Sequence, residues 1–207
     1  MTPLARPLVA VLDYGIGNLR SAQKALERVG ADARLTADPE VVAAAAGVVL
    51  PGVGAFGRCM EALRATGLDT VARKAVEAEA PFLAICIGMQ LLYEASEESP
   101  GVEGLGVLPG TVRRLGAGVK HPQMQWNTLD LVGEPALCAG LDRPLWMYFV
   151  HSFAPEPTED VVATCDYGGP VVAAVARRRL WATQFHPEKS GSAGLGLLAN
   201  FVAGLGR

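Results

Sequence analysis

The chain is poor in the residues that build metal centres. It has four cysteines, Cys59, Cys86, Cys138 and Cys165, and three histidines, His121, His151 and His186. No two cysteines form a Cys-x-x-Cys pair, so the clustered ligands of a zinc site are missing and no metal is expected. Charge is scarce too. Only 19% of the 207 residues are charged and the net charge is −3. The one basic cluster, Arg177-Arg178-Arg179, is too short to argue for nucleic acid. Long apolar runs are lacking: VVAAAAGVVL at 41–50 falls short of a bilayer span. The opening MTPLARPLVA lacks the apolar core and cleavage site of a signal peptide. These absences lead to the expectation of a cytoplasmic protein whose thiols stay reduced. What remains is half apolar and long enough for one large domain, 1–207, with a real core.

The first half alternates between strand and helix patterns. LVAVLDY (8–14), ADARLT (31–36), GVVLP (47–51) and PFLAIC (81–86) read as buried strands. NLRSAQKALERVG (18–30) reads as an amphipathic helix capped by Asn18 and stopped by Gly30. Asp38-Pro39-Glu40 has the order cap, proline, acid that opens a helix. Helical patterns run on to about Ala80, with a break near Gly67 and Asp69 as a new cap. MQLLYEA is expected to continue as helix after Cys86. Near-continuous apolar strands joined by helices imply a parallel sheet covered on both faces. From Gly104 the chain turns Gly- and Pro-rich, with strands at 145–153 and 161–168, a late hairpin ending in LWATQF (180–185), and a final helix through LGLLANFVAGL. The expected fold class is α/β: a single three-layer domain with a largely parallel mixed sheet.

The chemistry centres on Ala84-Ile85-Cys86-Ile87-Gly88. A strand that switches to helix through small-x-Cys-x-small has the form of a nucleophile elbow. There the helix N-terminus favours a thiolate, and the backbone N–H of Ile87 can face an oxyanion. The bland alternative is a core thiol, which is how Cys59, Cys138 and Cys165 are read. A thiol nucleophile needs a base. His186 follows an apolar strand, Pro187 keeps it extended, and Glu188 two residues on faces the same side. That carboxylate can hold the imidazole, giving a Cys86–His186–Glu188 set. Gly52-x-Gly54-x-x-Gly57 has the form of a dinucleotide fingerprint, but the acid expected about 20 residues on falls in a helical pattern. The other reading of these glycines is backbone N–H groups turned toward a small anion or oxyanion.

Taken together, AICIGMQ, QFHPEKS and PGVGAFG resemble the elbow, the His-Pro-Glu block and the oxyanion loop of class I, triad-type glutamine amidotransferases. DYGIGNLRS (13–21), QWN (125–127) and YFVHSF (148–153) narrow the resemblance to the glutaminase subunits of imidazole glycerol phosphate synthases, a family of histidine biosynthesis. The resemblance implies a flavodoxin-like fold and no cofactor. It implies that Cys86 attacks the carboxamide of glutamine, that Ile87 and the Gly52-Val53-Gly54 loop hold the oxyanion, and that Glu188 orients His186. It places Gln90, Glu98, His151, Ser152 and Phe153 at the glutamine. It implies a (β/α)8-barrel cyclase partner that receives the ammonia, with Tyr14, Asn18, Trp126, Tyr148 and Lys189 as interface candidates. It also leads to the expectation that the chain is nearly silent alone, the Val53 N–H resting turned away until the partner is loaded. Three positions depart from the family pattern: Ala84 for the first elbow glycine, Gln125 before Trp-Asn, and Phe153 for a tyrosine.

Overall fold

The structure is a computed structural model that describes residues 6–206. The first half is built of the expected units: β1 (Leu8–Leu12), α1 (Leu19–Arg28), β2 (Asp32–Thr36), α2 (Pro39–Ala44), β3 (Gly47–Gly52), α3 (Phe56–Ala65), α4 (Leu68–Glu77), β4 (Phe82–Cys86) and α5 (Ile87–Leu91). Shorter strands follow: β5 (Ala95–Ser96), β6 (Thr111–Arg114), β7 (Gln123–Thr128), β8 (Asp130–Leu131), β9 (Trp146–His151) and β10 (Phe153–Pro155). The chain closes with β11 (Val161–Asp166), β12 (Pro170–Arg177), β13 (Leu180–Thr183) and α6 (Gly191–Ala203).

The main sheet has the order β2-β1-β3-β4-β13-β12-β11-β8. Its first five strands are parallel and its last three antiparallel. Every residue of β3 and β4 is buried. This is why the two read as unbroken apolar runs: central parallel strands face core on both sides. Helices pack by apolar positions at helical spacing, such as Phe56, Cys59, Met60 and Leu63 on α3. α1 and α6 pack together, and α2, α3, α4 and α5 form a second contiguous set. Two small sheets, β10-β6-β5 and β7-β9, lie outside the main one. The strand expected at 145–153 supplies β9 and, after a break at Ser152, the start of β10; β5, β6 and β7 were not anticipated, because they are short and partly exposed.

Local signals hold with three corrections. Asp38 caps α2 by accepting the Glu40 N–H at 2.9 Å, and Gly30 takes the positive φ expected of a stop. The cap of α4 is Gly67, in the left-handed region, with Asp69 one step inside. Asn18 precedes α1 but makes no side-chain bond to its backbone; its Oδ1 accepts the Ser21 hydroxyl at 2.8 Å instead. The helix after Cys86 is also shorter than MQLLYEA suggests. The carbonyls of Leu91, Leu92 and Tyr93 accept N–H groups from the 105–108 segment, which replaces further helical turns. Gly104 lets that segment approach, since a Cβ there would overlap the Tyr93 carbonyl.

Gly104→Ala therefore forces backbone apart and should cost about 1–3 kcal/mol. That corresponds to roughly 2–12 °C in Tm for a chain of this size. A melting curve identical to wild type would show that the segment gives way freely.

Candidate active site

The C-terminal ends of β3, β4 and β13 lie at one edge of the sheet, where ligands gather in open parallel folds. β4 ends in Cys86, which has φ +56° and ψ −112°. A non-glycine residue there is strained by about 1–3 kcal/mol. The strain is imposed from both sides. β3 holds Ile85 and Cys86 in register with Pro51 and Gly52. Immediately afterwards Gly88 sits against the Leu50 carbonyl, where any side chain would collide. The chain must reverse within one residue, and that residue is the thiol.

His186 follows β13 in extended conformation, as expected, but Glu188 does not continue the strand. Pro187–Lys189 form a single 3-10 turn, and that turn brings Glu188 Oε1 to 2.8 Å from His186 Nδ1. Both side chains are buried. Ser190 locks the turn: its hydroxyl donates to the His186 carbonyl at 2.6 Å and accepts the Tyr148 N–H at 3.0 Å. Burial opposes charge on His186, but attraction to the Cys86 sulfur and the Glu188 carboxylate outweighs it and raises the pKa to about 9. Among the described residues Nε2 has no hydrogen-bond partner. It is the nitrogen left to exchange a proton with the sulfur, a contact that often tightens only with substrate bound.

A cavity of about 250 Å³ opens over this pair. It is lined by Cys86, His186, Val53, Gly54, Ile87, Gln90, Glu98, His151, Ser152 and Phe153, with Pro122 and Val150. It falls below the size range of drug-binding pockets, so it suits a small metabolite. Gly52 lies behind the lining, against the Tyr14 hydroxyl and the Gly88 N–H, where a side chain would not fit. Glu98 accepts the Phe56 N–H with Oε2 at 2.7 Å, and Ser99 accepts the Gly57 N–H at 3.0 Å. The start of α3 is therefore filled, and the place where a fingerprint loop would hold a dinucleotide phosphate is taken. The carboxylate instead faces the cavity. Gln90 gives both amide hydrogens away, to the Phe153 carbonyl at 2.9 Å and the Gln184 Oε1 at 3.0 Å. Its own Oε1 is buried without a partner among the described residues. Burial lowers the His151 pKa to about 4, so the ring is neutral. Its Nδ1–H donates to the Phe153 carbonyl at 2.9 Å.

A buried thiol on a strained elbow, a histidine–carboxylate pair beside it, and a small cavity with a few polar groups facing it suit nucleophilic attack on a carbonyl carbon. The family model for class I glutamine amidotransferases matches residues 10–205. The chain belongs to that family. This amidotransferase is 49% identical to "Imidazole glycerol phosphate synthase subunit HisH" of Thermobifida fusca, over 97% of this chain and 100% of the relative. It is also 49% identical to the subunit of the same name from Methanothermobacter thermautotrophicus, over 94% and 98%. Among solved structures it resembles a glutamine amidotransferase crystal structure (TM-score 0.74, 24% identity, 95% and 98% coverage). It also resembles PurLQS from Thermotoga maritima (TM-score 0.77, 20% identity, 97% and 99% coverage). At those identities the structures speak for the fold alone.

Of the expected interface residues of the amidotransferase, Trp126 is 49% exposed, Tyr148 and Asn18 are half-buried and Lys189 is exposed. Tyr14 is buried at 3% exposure, because its ring fills the core and its hydroxyl donates inward to the Pro51 carbonyl at 2.8 Å. Two site residues escaped the sequence reading. Gln184, fully buried, points its Nε2 at the Cys86 sulfur at 3.8 Å. Ser190 ties the histidine turn to β9. The only hint of either was membership of the QFHPEKS block. Ala84, in place of glycine, is accommodated between Leu50 and Ala182 in the ladder.

Protonated His186, with its pKa raised from 6.5 to about 9, stabilises the fold fully below about pH 6.5 and loses that contribution as pH rises through 9. Glu188→Gln removes one anion from the imidazolium. The basic limb of the pH–rate profile should then move below the wild-type position near 9. A limb that stays in place would separate Glu188 from the titration.

Proposed function

We propose that the chain is the glutaminase subunit of an imidazole glycerol phosphate synthase in histidine biosynthesis, acting as one amidotransferase domain across 1–207. The family match at 10–205 and the names of relatives aligned over nearly their full length support this reading. Residues 1–5 and 207 lie outside the described residues. The observation that carries the chemistry is Cys86 on its forced turn beside the His186–Glu188 pair.

The thiolate of Cys86 attacks the side-chain carboxamide carbon of glutamine. The carbon–oxygen double bond opens to an oxyanion, held by backbone N–H groups of Ile87 and the Gly52-Val53-Gly54 loop. Imidazolium at His186 protonates the nitrogen, the carbon–nitrogen bond breaks, and ammonia leaves a thioester. Neutral His186 then takes a proton from water, the hydroxide oxygen attacks the thioester, and glutamate departs with the thiolate restored. Glu188 steadies the imidazolium throughout. The free oxygens of Glu98 and Gln90 meet the α-ammonium, a charge-assisted pairing. Ser152, His151 and Phe153 form the opposite wall.

Ammonia released to bulk water is protonated and lost as a nucleophile, so it must pass directly to a partner. That partner is a (β/α)8-barrel cyclase subunit, which uses it to form imidazole glycerol phosphate and an aminoimidazole carboxamide ribotide. The docking face is the ribbon β7-β9, where Trp126 pairs with Tyr148 edge-to-face at 6.1 Å and Lys189 lies 6.0 Å over the Tyr148 ring. Met124 and Trp146 extend the same exposed apolar stripe.

Glutamate release from glutamine should be slow with the chain alone and fast with a cyclase subunit carrying its ribotide ligand. Cys86→Ala should abolish it in both. Fast release without the partner would sink the idea of a gated subunit, and no release in any condition would sink the glutaminase reading. Trp126→Ala should weaken cyclase binding about tenfold or more, as anchor aromatics do. Unchanged affinity by titration calorimetry would move the docking face elsewhere.

A further inference from the structure

The mechanism above leaves two buried side chains without a role, Tyr14 and Cys59, and they converge on one loop. Tyr14 comes from the turn after β1, and its hydroxyl donates to the Pro51 carbonyl at 2.8 Å. Cys59 comes from α3, and its thiol lies 3.4 Å from the Val53 carbonyl. Both are buried, at 3% and 0% exposure, and they lie within hydrogen-bonding reach of one another. The two carbonyls they hold flank Gly52, whose missing side chain leaves room for the Tyr14 hydroxyl.

A peptide unit is planar and trans, so its N–H points opposite to its C=O. With the Val53 carbonyl turned in toward Cys59, the N–H of Gly54 in the same unit points away from α3. Val53 and Gly54 are the loop residues that line the cavity. Pinning the Pro51 carbonyl fixes the unit on the other side of Gly52. We infer that Tyr14, seconded by Cys59, is a positioning residue: it sets the direction in which the 52–54 loop presents backbone N–H groups to the oxyanion. This rests on the glutaminase reading of the site. Neither side chain touches the cavity, so each acts only through the loop.

Burial pushes both groups toward their protonated forms: Tyr14 well above the ordinary phenol range, and Cys59 to about 11. Both remain neutral donors wherever the enzyme is assayed. Loss of either should therefore cost the same factor at every pH, unlike a change at His186 or Glu188.

Tyr14→Phe keeps the ring in the core and removes only the donor. In complex with the ligand-loaded cyclase, its kcat for glutamine should fall about tenfold with KM within about twofold, part of what a full oxyanion donor provides. Glutamate γ-semialdehyde forms a thiohemiacetal whose oxygen occupies the oxyanion position. Its affinity should fall by the same factor as kcat. Alkylation of Cys86 by iodoacetamide should keep its wild-type rate and pH dependence. Cys59→Ala should repeat the pattern more weakly, and it carries the test if Tyr14→Phe fails to fold. Wild-type kcat and aldehyde affinity in the folded variants would overturn the inference. So would an equal loss in alkylation, which would mean general disorder of the site. A wild-type protein that neither releases glutamate nor binds the aldehyde would instead overturn the glutaminase reading itself.

Discussion

The contact between Gly88 and the Leu50 carbonyl governs the site. Because α5 starts directly over β3, the reversal between β4 and α5 has to be completed at residue 86. That places the thiol at positive φ, opposite Gly52, with the first N–H groups of a helix behind it. The 52–54 loop is the continuation of β3 and the histidine turn the continuation of β13, so both arrive at the thiol through strand register alone. No loop has to find the thiol by searching. The parallel order of three neighbouring strands does that.

Electrostatics then separates two histidines that are chemically the same. Both rings are buried, and burial alone would lower both pKa values. His151 has only a backbone carbonyl at Nδ1 and falls to about 4. His186 has a carboxylate at Nδ1 and the sulfur nearby, and rises to about 9. The difference lies in the partners of His186, the Cys86 sulfur first and the Glu188 carboxylate second, which His151 lacks. One ring becomes a neutral fixture of the wall and the other holds its proton well above neutral pH. A buried carboxylate without such a partner would be unfavourable, so Glu188 and His186 stabilise each other's presence in the core.

Much of this was legible in the residues. The buried strands, the proline-opened helix and the elbow each have a local physical cause, and local causes leave marks in sequence. Cys86, His186 and Glu188 stand out because their chemistry needs particular residue types, and the structure brings the three together. What escaped depended on contacts between distant segments. The early end of α5 is set by N–H groups of residues 105–108, which bond the Leu91, Leu92 and Tyr93 carbonyls. Gln184 looks like any polar residue after a strand until β13 brings it beside the thiol. The resemblance places Tyr14 at the partner interface with the rest of the DYG turn; only packing against β3 shows that its hydroxyl turns inward to the Pro51 carbonyl. Glu188 reached its histidine by a helical turn rather than by strand alternation, so the pairing was foreseen for a different geometric reason.

The ribbon β7-β9 belongs to neither the main sheet nor the helical layers. It is joined to the histidine turn by the Ser190 hydroxyl, bonded to both Tyr148 N–H and the His186 carbonyl, and by the His186 N–H on the Tyr148 carbonyl. Two bonds to one tyrosine, and a third that closes the turn, leave little slack between them. In mechanical terms the ribbon is a lever arm whose short end is the imidazole. A tilt at its exposed tryptophans would reach the His186 ring through those bonds.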